Sequence, residues 1–184
     1  AHDRLWGDVL PVPRDRIRAW EPSTREPVPG VSAFFTPGHI GHHVSYLDES
    51  DGVFIAGDAL GVILAHGAPI HPPTPPPAVD VTAWLETLEN IQTIGPSTLG
   101  VSHFGLHDGF ASRVSEMRMR LVTCRDRVAL AMSAGDEKDR EIYEREAREA
   151  ISDFRPRDEV DAYFDTFSPA LDWDGMRFHL ERTN

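Results

Sequence analysis

Three histidines fall within five positions of the stretch TPGHIGHHVSYL, residues 36–47, as His39, His42 and His43. Asp58 closes GVFIAGD, and His103 closes TLGVSH. Imidazole and carboxylate are the ligands a zinc-type cation accepts when cysteine is absent, and a carboxylate has two oxygens with which to bridge two cations. The chain has one cysteine, Cys124, so neither an internal disulfide framework nor a cysteine-based zinc cluster is available to it. Metal-assisted chemistry on a substrate is therefore what these residues offer together. Taken one at a time, each has a plainer reading. A histidine after a strand is more often a hydrogen-bonded or solvent-facing turn residue, and an aspartate after a glycine is usually a turn or a helix cap.

The elements that would position them are short. VSAFF, HVSYL and GVFIAGD have the length and the β-branched or aromatic content of strands, with DESDG as a hairpin turn between the second and third. A helix is predicted after Asp80 as its cap, with Val81, Trp84, Leu85, Leu88 and Ile91 on one face, followed by a further strand in STLGVSH. Strand, helix, strand in that order is the grammar of a layered α/β domain. His39, Asp58 and His103 each follow a predicted strand at its carboxyl end, the rim where reacting groups collect in open sheets. Gly38 and Gly57, just before His39 and Asp58, allow the sharp turns that bring short side chains to a common centre. Residues 1–30 read mostly as loop, with room for one short strand. Residues 61–77 read as a long loop ending in PIHPPTPPP, where prolines favour extended backbone.

Beyond His107 the spacing turns helical. Val114, Met117, Leu121, Cys124 and Val128 form one apolar stripe. Tyr143, Ala147, Ile151 and Phe154 form a second, and Val160, Tyr163, Phe164 and Phe167 a third, with a last helix over roughly 170–181. Much of the acidic excess lies on these helices and reads as a solvated outer face.

Three of the motifs match a known family. TPGHIGHH resembles the TPGH-x-x-GH motif of the metallo-β-lactamase-fold hydrolases, VFIAGDAL resembles their strand ending in Gly-Asp, and VSHFG resembles their terminal histidine motif. They occur in the family's order, with a helix between the second and third. The resemblance implies an α/β fold in which residues 1–107 form the C-terminal half of a four-layer αββα sandwich and residues 108–184 a helical appendage. It makes His39 a ligand of a first metal, Asp58 the bridging and catalytic carboxylate, His103 a ligand of a second metal, and His43 a supporting residue behind them. The cofactor implied is zinc, one ion or two, with iron or manganese as alternatives. The activity implied is hydrolysis of a small-molecule ester, thioester, lactone or lactam by metal-activated hydroxide. His42 has no counterpart in the pattern and is expected to be exposed. His66, His71 and His107 are expected to line the site or face solvent rather than ligate, and His2 and His179 carry no assigned role. Trp173, Phe167 and Phe164 are expected in the core before the pocket.

One signature of that family, H-x-H-x-D-H, does not occur in this sequence. Without it each metal keeps two protein ligands, where catalytic zinc usually takes three and a water. The expectation is that these residues are the C-terminal part of a longer hydrolase, with a separate N-terminal half-chain or a homodimer as alternatives, and that the strands leave one apolar face uncovered. The competing function is a metal-free scaffold or interaction module that keeps half of the hydrolase fold. With 18 basic against 30 acidic residues the formal charge is -12, which disfavours nucleic acid and anionic membrane surfaces as partners. No apolar run approaches the ~20 residues of a membrane span, and the chain reads as cytoplasmic, acting on a small molecule.

Overall fold

A computed structural model describes residues 7–103 and 105–183. His2 and the Phe104 of VSHFG lie outside the described residues. The predicted strands form at β1 (Val31–Phe35), β2 (Val44–Asp48), β3 (Val53–Gly57) and β4 (Thr98–Val101). A fifth, β5 (Gly105–His107), was not predicted, since three residues opening on glycine are too short to show a period of two. The sheet order is β1-β2-β3-β4-β5. All neighbours are antiparallel except β3 and β4, which run parallel because a helix crosses over between them.

That helix is α1 (Val81–Ile91), capped as expected by the Asp80 side chain, which accepts from the Ala83 N–H at 3.1 Å. Its apolar face, with Trp84 fully buried, packs on the sheet row Leu47, Phe54 and Leu99. Next comes α2 (Phe110–Ala134), whose stripe Val114, Met117, Leu121 and Val128 joins the same core. Three helices follow, α3 (Asp139–Ser152), α4 (Arg157–Thr166) and α5 (Pro169–Thr183). Phe154, predicted on the second stripe, falls beyond the end of α3 and is exposed. Arginines tie the helices together: Arg127 pairs with Asp139 between α2 and α3, Arg140 grips Asp174 with two bonds of 2.8 Å between α3 and α5, and Arg148 reaches Asp161 and Asp165 on α4.

Residues 61–77, expected as a long extended loop, are largely buried. Val62, Ile63, Leu64, Ala68 and Ile70 are all buried, Val62 and His71 exchange backbone bonds of 2.9 Å, and Glu116 on α2 accepts the Ile70 N–H. The segment is a strap threaded between the sheet layer and the tail helices, because its apolar residues satisfy a second core with Ile151, Val160 and Phe164. The opposite sheet face keeps Phe35, Tyr46, Ile55 and Leu106 open to solvent, the uncovered apolar face that strand alternation implied. Among the described residues no helix is long and apolar enough to cross a membrane.

Candidate metal centre

The parallel crossover puts the ends of β3 and β4 on one edge, and the β1–β2 connection delivers its histidines to the same edge. His39 sits in that connection, Asp58 begins a short 3-10 turn after β3, and His103 lies in the turn after β4. Glycine is required before the first two. A Cβ at Gly38 would collide with the Trp84 side chain, and one at Gly57 would lie 2.6 Å from His43 Nε2, with both residues at positive φ.

Asp58 is the centre of the group. His39 Nε2 stands 3.5 Å from Asp58 Oδ2, and His103 Nε2 stands 3.7 Å from Asp58 Oδ1. Both are too long for a hydrogen bond. Asp58 Oδ1 is buried with no hydrogen-bond partner among the described residues. The other nitrogen of His39, Nδ1, is 2.9 Å from the Pro73 carbonyl. A carbonyl only accepts, so Nδ1 donates, and in the neutral ring Nε2 presents a lone pair toward the carboxylate. Two lone pairs held apart in this way are what a cation between them reconciles. Two atoms each about 2.1 Å from one tetrahedral cation lie about 3.4 Å apart, close to both spacings. A backbone carbonyl behind the imidazole is also the usual support for a metal-ligating histidine.

His43 does not face the group. Its Nε2 accepts the Asp58 backbone N–H at 3.1 Å, and its Nδ1 lies 2.8 Å from Thr36 Oγ1, which is 2.9 Å from Ser45 Oγ, which donates to the Ala56 carbonyl at 3.0 Å. Burial lowers the His43 pKa and outweighs the opposing pull of Asp58, which keeps the ring neutral and able to accept. His43 therefore fixes the backbone from which Asp58 projects. His42 is exposed.

The residues fit one part of a metal site. Among the described residues no group of three or more histidine, cysteine, aspartate or glutamate side chains converges to hold an ion. Among the described residues, His39 and His103 each stand beside a different oxygen of Asp58, which leaves two donors on either side of the carboxylate.

The other histidines separate sharply. His66 is exposed, His107 is buried on the inner face of β5, and His179 is buried on α5. His71 is neither exposed nor idle. Its Nε2 lies 2.7 Å from Asp172 Oδ2, while Asp172 Oδ1 accepts the Thr74 N–H at 2.7 Å and Thr74 Oγ1 donates to the Asp172 carbonyl at 2.6 Å. This knot ties the strap to α5, and the strap in turn holds His39 through Pro73. The two main chains meet directly beside it, since a Cβ at Gly175 would overlap the Thr74 carbonyl oxygen. No local pattern signals a pair separated by 101 positions. Tyr163 was likewise missed as a site residue. It packs 5.6 Å edge-on to His103, as Phe167 does at 5.7 Å, and the three flank a cavity of about 400 Å³ that opens on Asp58. Phe164 and Trp173 are in the core, and Phe167 is at the cavity.

Comparison with known proteins agrees with the motifs. Residues 21–103 match the family model of the metallo-beta-lactamase superfamily. The metallo-beta-lactamase fold-containing protein ST1585 of Sulfurisphaera tokodaii is 28% identical over 101 residues, which are 55% of this chain and 36% of that protein. Among solved structures, the metallo-beta-lactamase family protein TTHA1429 of Thermus thermophilus aligns at 19% identity and a TM-score of 0.48 over 83% of this chain and 43% of its own. TTHA1623, solved in a di-iron-bound form, aligns at 23% identity and a TM-score of 0.43 over 60% of this chain and 53% of its own. The chain spans about a third of the length of the curated relative it matches. Over residues 21–103, and in its three motifs taken in their order, the chain is similar to the metallo-beta-lactamase superfamily.

Proposed function

We propose that this chain carries one part of a metal-dependent hydrolase site, acting on a small-molecule ester, thioester, lactone or lactam. The observation that supports it is the placement of His39 Nε2 and His103 Nε2 against the two oxygens of Asp58, one of which is buried without a hydrogen bond among the described residues. When bound, a zinc, iron or manganese ion lowers the pKa of a coordinated water from 15.7 toward ~7 and polarises the bond under attack. The chain's own residues prepare that site. Pro73 holds His39 with its Nε2 turned inward, His43 holds the Asp58 amide, and Tyr163 and Phe167 hold the His103 ring from its edge. Asp58, shared between the two histidines, sets the spacing of the group.

The donor count supports a second reading, a metal-free scaffold that keeps this half of the fold, since two protein ligands per cation is fewer than catalytic zinc usually takes. One experiment separates them. Zinc, iron(II) or manganese added to the 184-residue chain raises its thermal midpoint, and His39→Ala or Asp58→Ala removes the rise. An equal rise in the variants, or none at millimolar metal, sinks the metal site in this chain. Metal-dependent turnover of thioester and lactone substrates then tests the hydrolase itself.

A further inference from the structure

The cavity beside Asp58 has two unlike sides. One side is the ligand group, with His39, Asp58 and His103; the other comes from the end of α4 and the start of α5, with Tyr163, Phe167 and Leu171. Its volume of about 400 Å³ lies within the usual range for small-molecule sites. Phe167 is 42% exposed and Leu171 50% exposed. They stand with Tyr163, whose ring is 5.1 Å from that of Phe167, as a continuous apolar surface at the cavity. Covering such surface gains roughly 25 cal/mol per Å², so an apolar group seated there is favoured.

Charge narrows the choice. Two carboxylates, Asp58 and Asp172, line the cavity, and no lysine or arginine does so among the described residues. Arg148 on the neighbouring α3 is already engaged, pairing with Glu144, Asp161 and Asp165. Away from the ligand group, an anionic substituent would meet the Asp172 carboxylate and aromatic edges, with no lysine or arginine among the described lining residues to balance it.

We propose that the wall of Tyr163, Phe167 and Leu171 is the specificity element of the site and selects uncharged substrates with an apolar acyl chain. Resting on the hydrolase reading above, it favours neutral esters, thioesters or lactones over substrates whose tail bears a carboxylate or phosphate.

The test reads binding, not turnover. Octanamide is uncharged and resists hydrolysis, and octanoate is its anionic counterpart. Titrated calorimetrically into the 184-residue chain in EDTA at pH 7.5, octanamide binds at least tenfold more tightly than octanoate. Phe167→Lys, at an exposed position, weakens octanamide at least fivefold and removes the preference, with an unchanged thermal midpoint as the check on folding; Leu171→Lys acts in the same direction. Octanoate binding as tightly as octanamide, no saturable octanamide binding, or indifference to both substitutions would overturn the proposal. Because no metal takes part, absence of metal-dependent turnover would sink the hydrolase reading and leave this result standing. Turnover confined to charged substrates would do the opposite.

Discussion

Two clusters built on histidine and aspartate are joined by the strap, through His71 in one and the Pro73 carbonyl on His39 in the other, and behave oppositely. In the knot of His71, Asp172 and Thr74 every link is 2.6–2.7 Å: Asp172 Oδ2 meets the His71 imidazole and Oδ1 accepts the Thr74 N–H. In the group of His39, Asp58 and His103 the spacings are 3.5 and 3.7 Å, and one carboxylate oxygen has no hydrogen bond among the described residues. Histidine and aspartate close on each other when their task is to hold chains together, and stand apart when they are arranged for something else. A buried polar cluster that is complete stabilises its surroundings. One that is incomplete costs stability until a further group joins it.

The sharpest way to break this contrast is to remove the centre of each cluster in turn, in EDTA. Asp172→Ala leaves the Thr74 N–H and the His71 ring without their partner inside the protein, and is expected to cost about 3 kcal/mol. In a chain of this size that lowers the thermal midpoint by roughly 6–12 °C. A loss below ~1 kcal/mol would mean that the knot is not holding the strap.

A smaller effect tests the charge that pins the strap one residue before His71. Burial pushes the Glu116 carboxyl up, but the Ile70 N–H, Arg120 and Arg113 together pull harder, and its folded pKa lies below the ordinary value of 4.5. A carboxyl with a lowered folded pKa contributes stability that is fully present above about pH 4.5 and is lost as pH falls through the folded value. Between pH 5 and 3 the parent chain is therefore expected to lose more stability than Glu116→Gln. Parallel denaturation curves for the two would show that the strap is held by its apolar residues alone.

The smallest change is expected at the other centre. Asp58→Ala removes a carboxylate that accepts no strong side-chain bond, so metal-free stability moves by less than about 1 kcal/mol in either direction. A loss equal to that of Asp172→Ala would erase the distinction between the clusters.

How much of this was legible beforehand follows the range of the signals. Strands β1 to β4, the Asp80 cap and the apolar stripe of α2 are local patterns of a few residues to a few turns, and they appear where alternation and helical spacing place them. The rim position of His39, Asp58 and His103 was legible for the same reason, because each follows its strand directly. The burial of residues 61–77 was not, since prolines signal extended backbone equally well on a surface or between layers. The partnership of His71 with Asp172 was beyond reach, because contact between residues so distant along the chain depends on how α5 docks. His71 and His39 both precede polar or proline-rich stretches, and only the TPGH motif sets His39 apart in sequence.

Gly175 gives the docking of α5 a geometric meaning. With no side chain between helix and strap, their separation is the contact distance of two peptide backbones, so it is set by atomic radii. Pro75 and Pro76 on the strap and Leu171 on α5 line the cavity beside this seam. The gap they bound is therefore a fixed caliper. Its aperture is adjustable through the residues at the tips of its jaws, and any side chain placed at the hinge, even a methyl group, would force the jaws out of register.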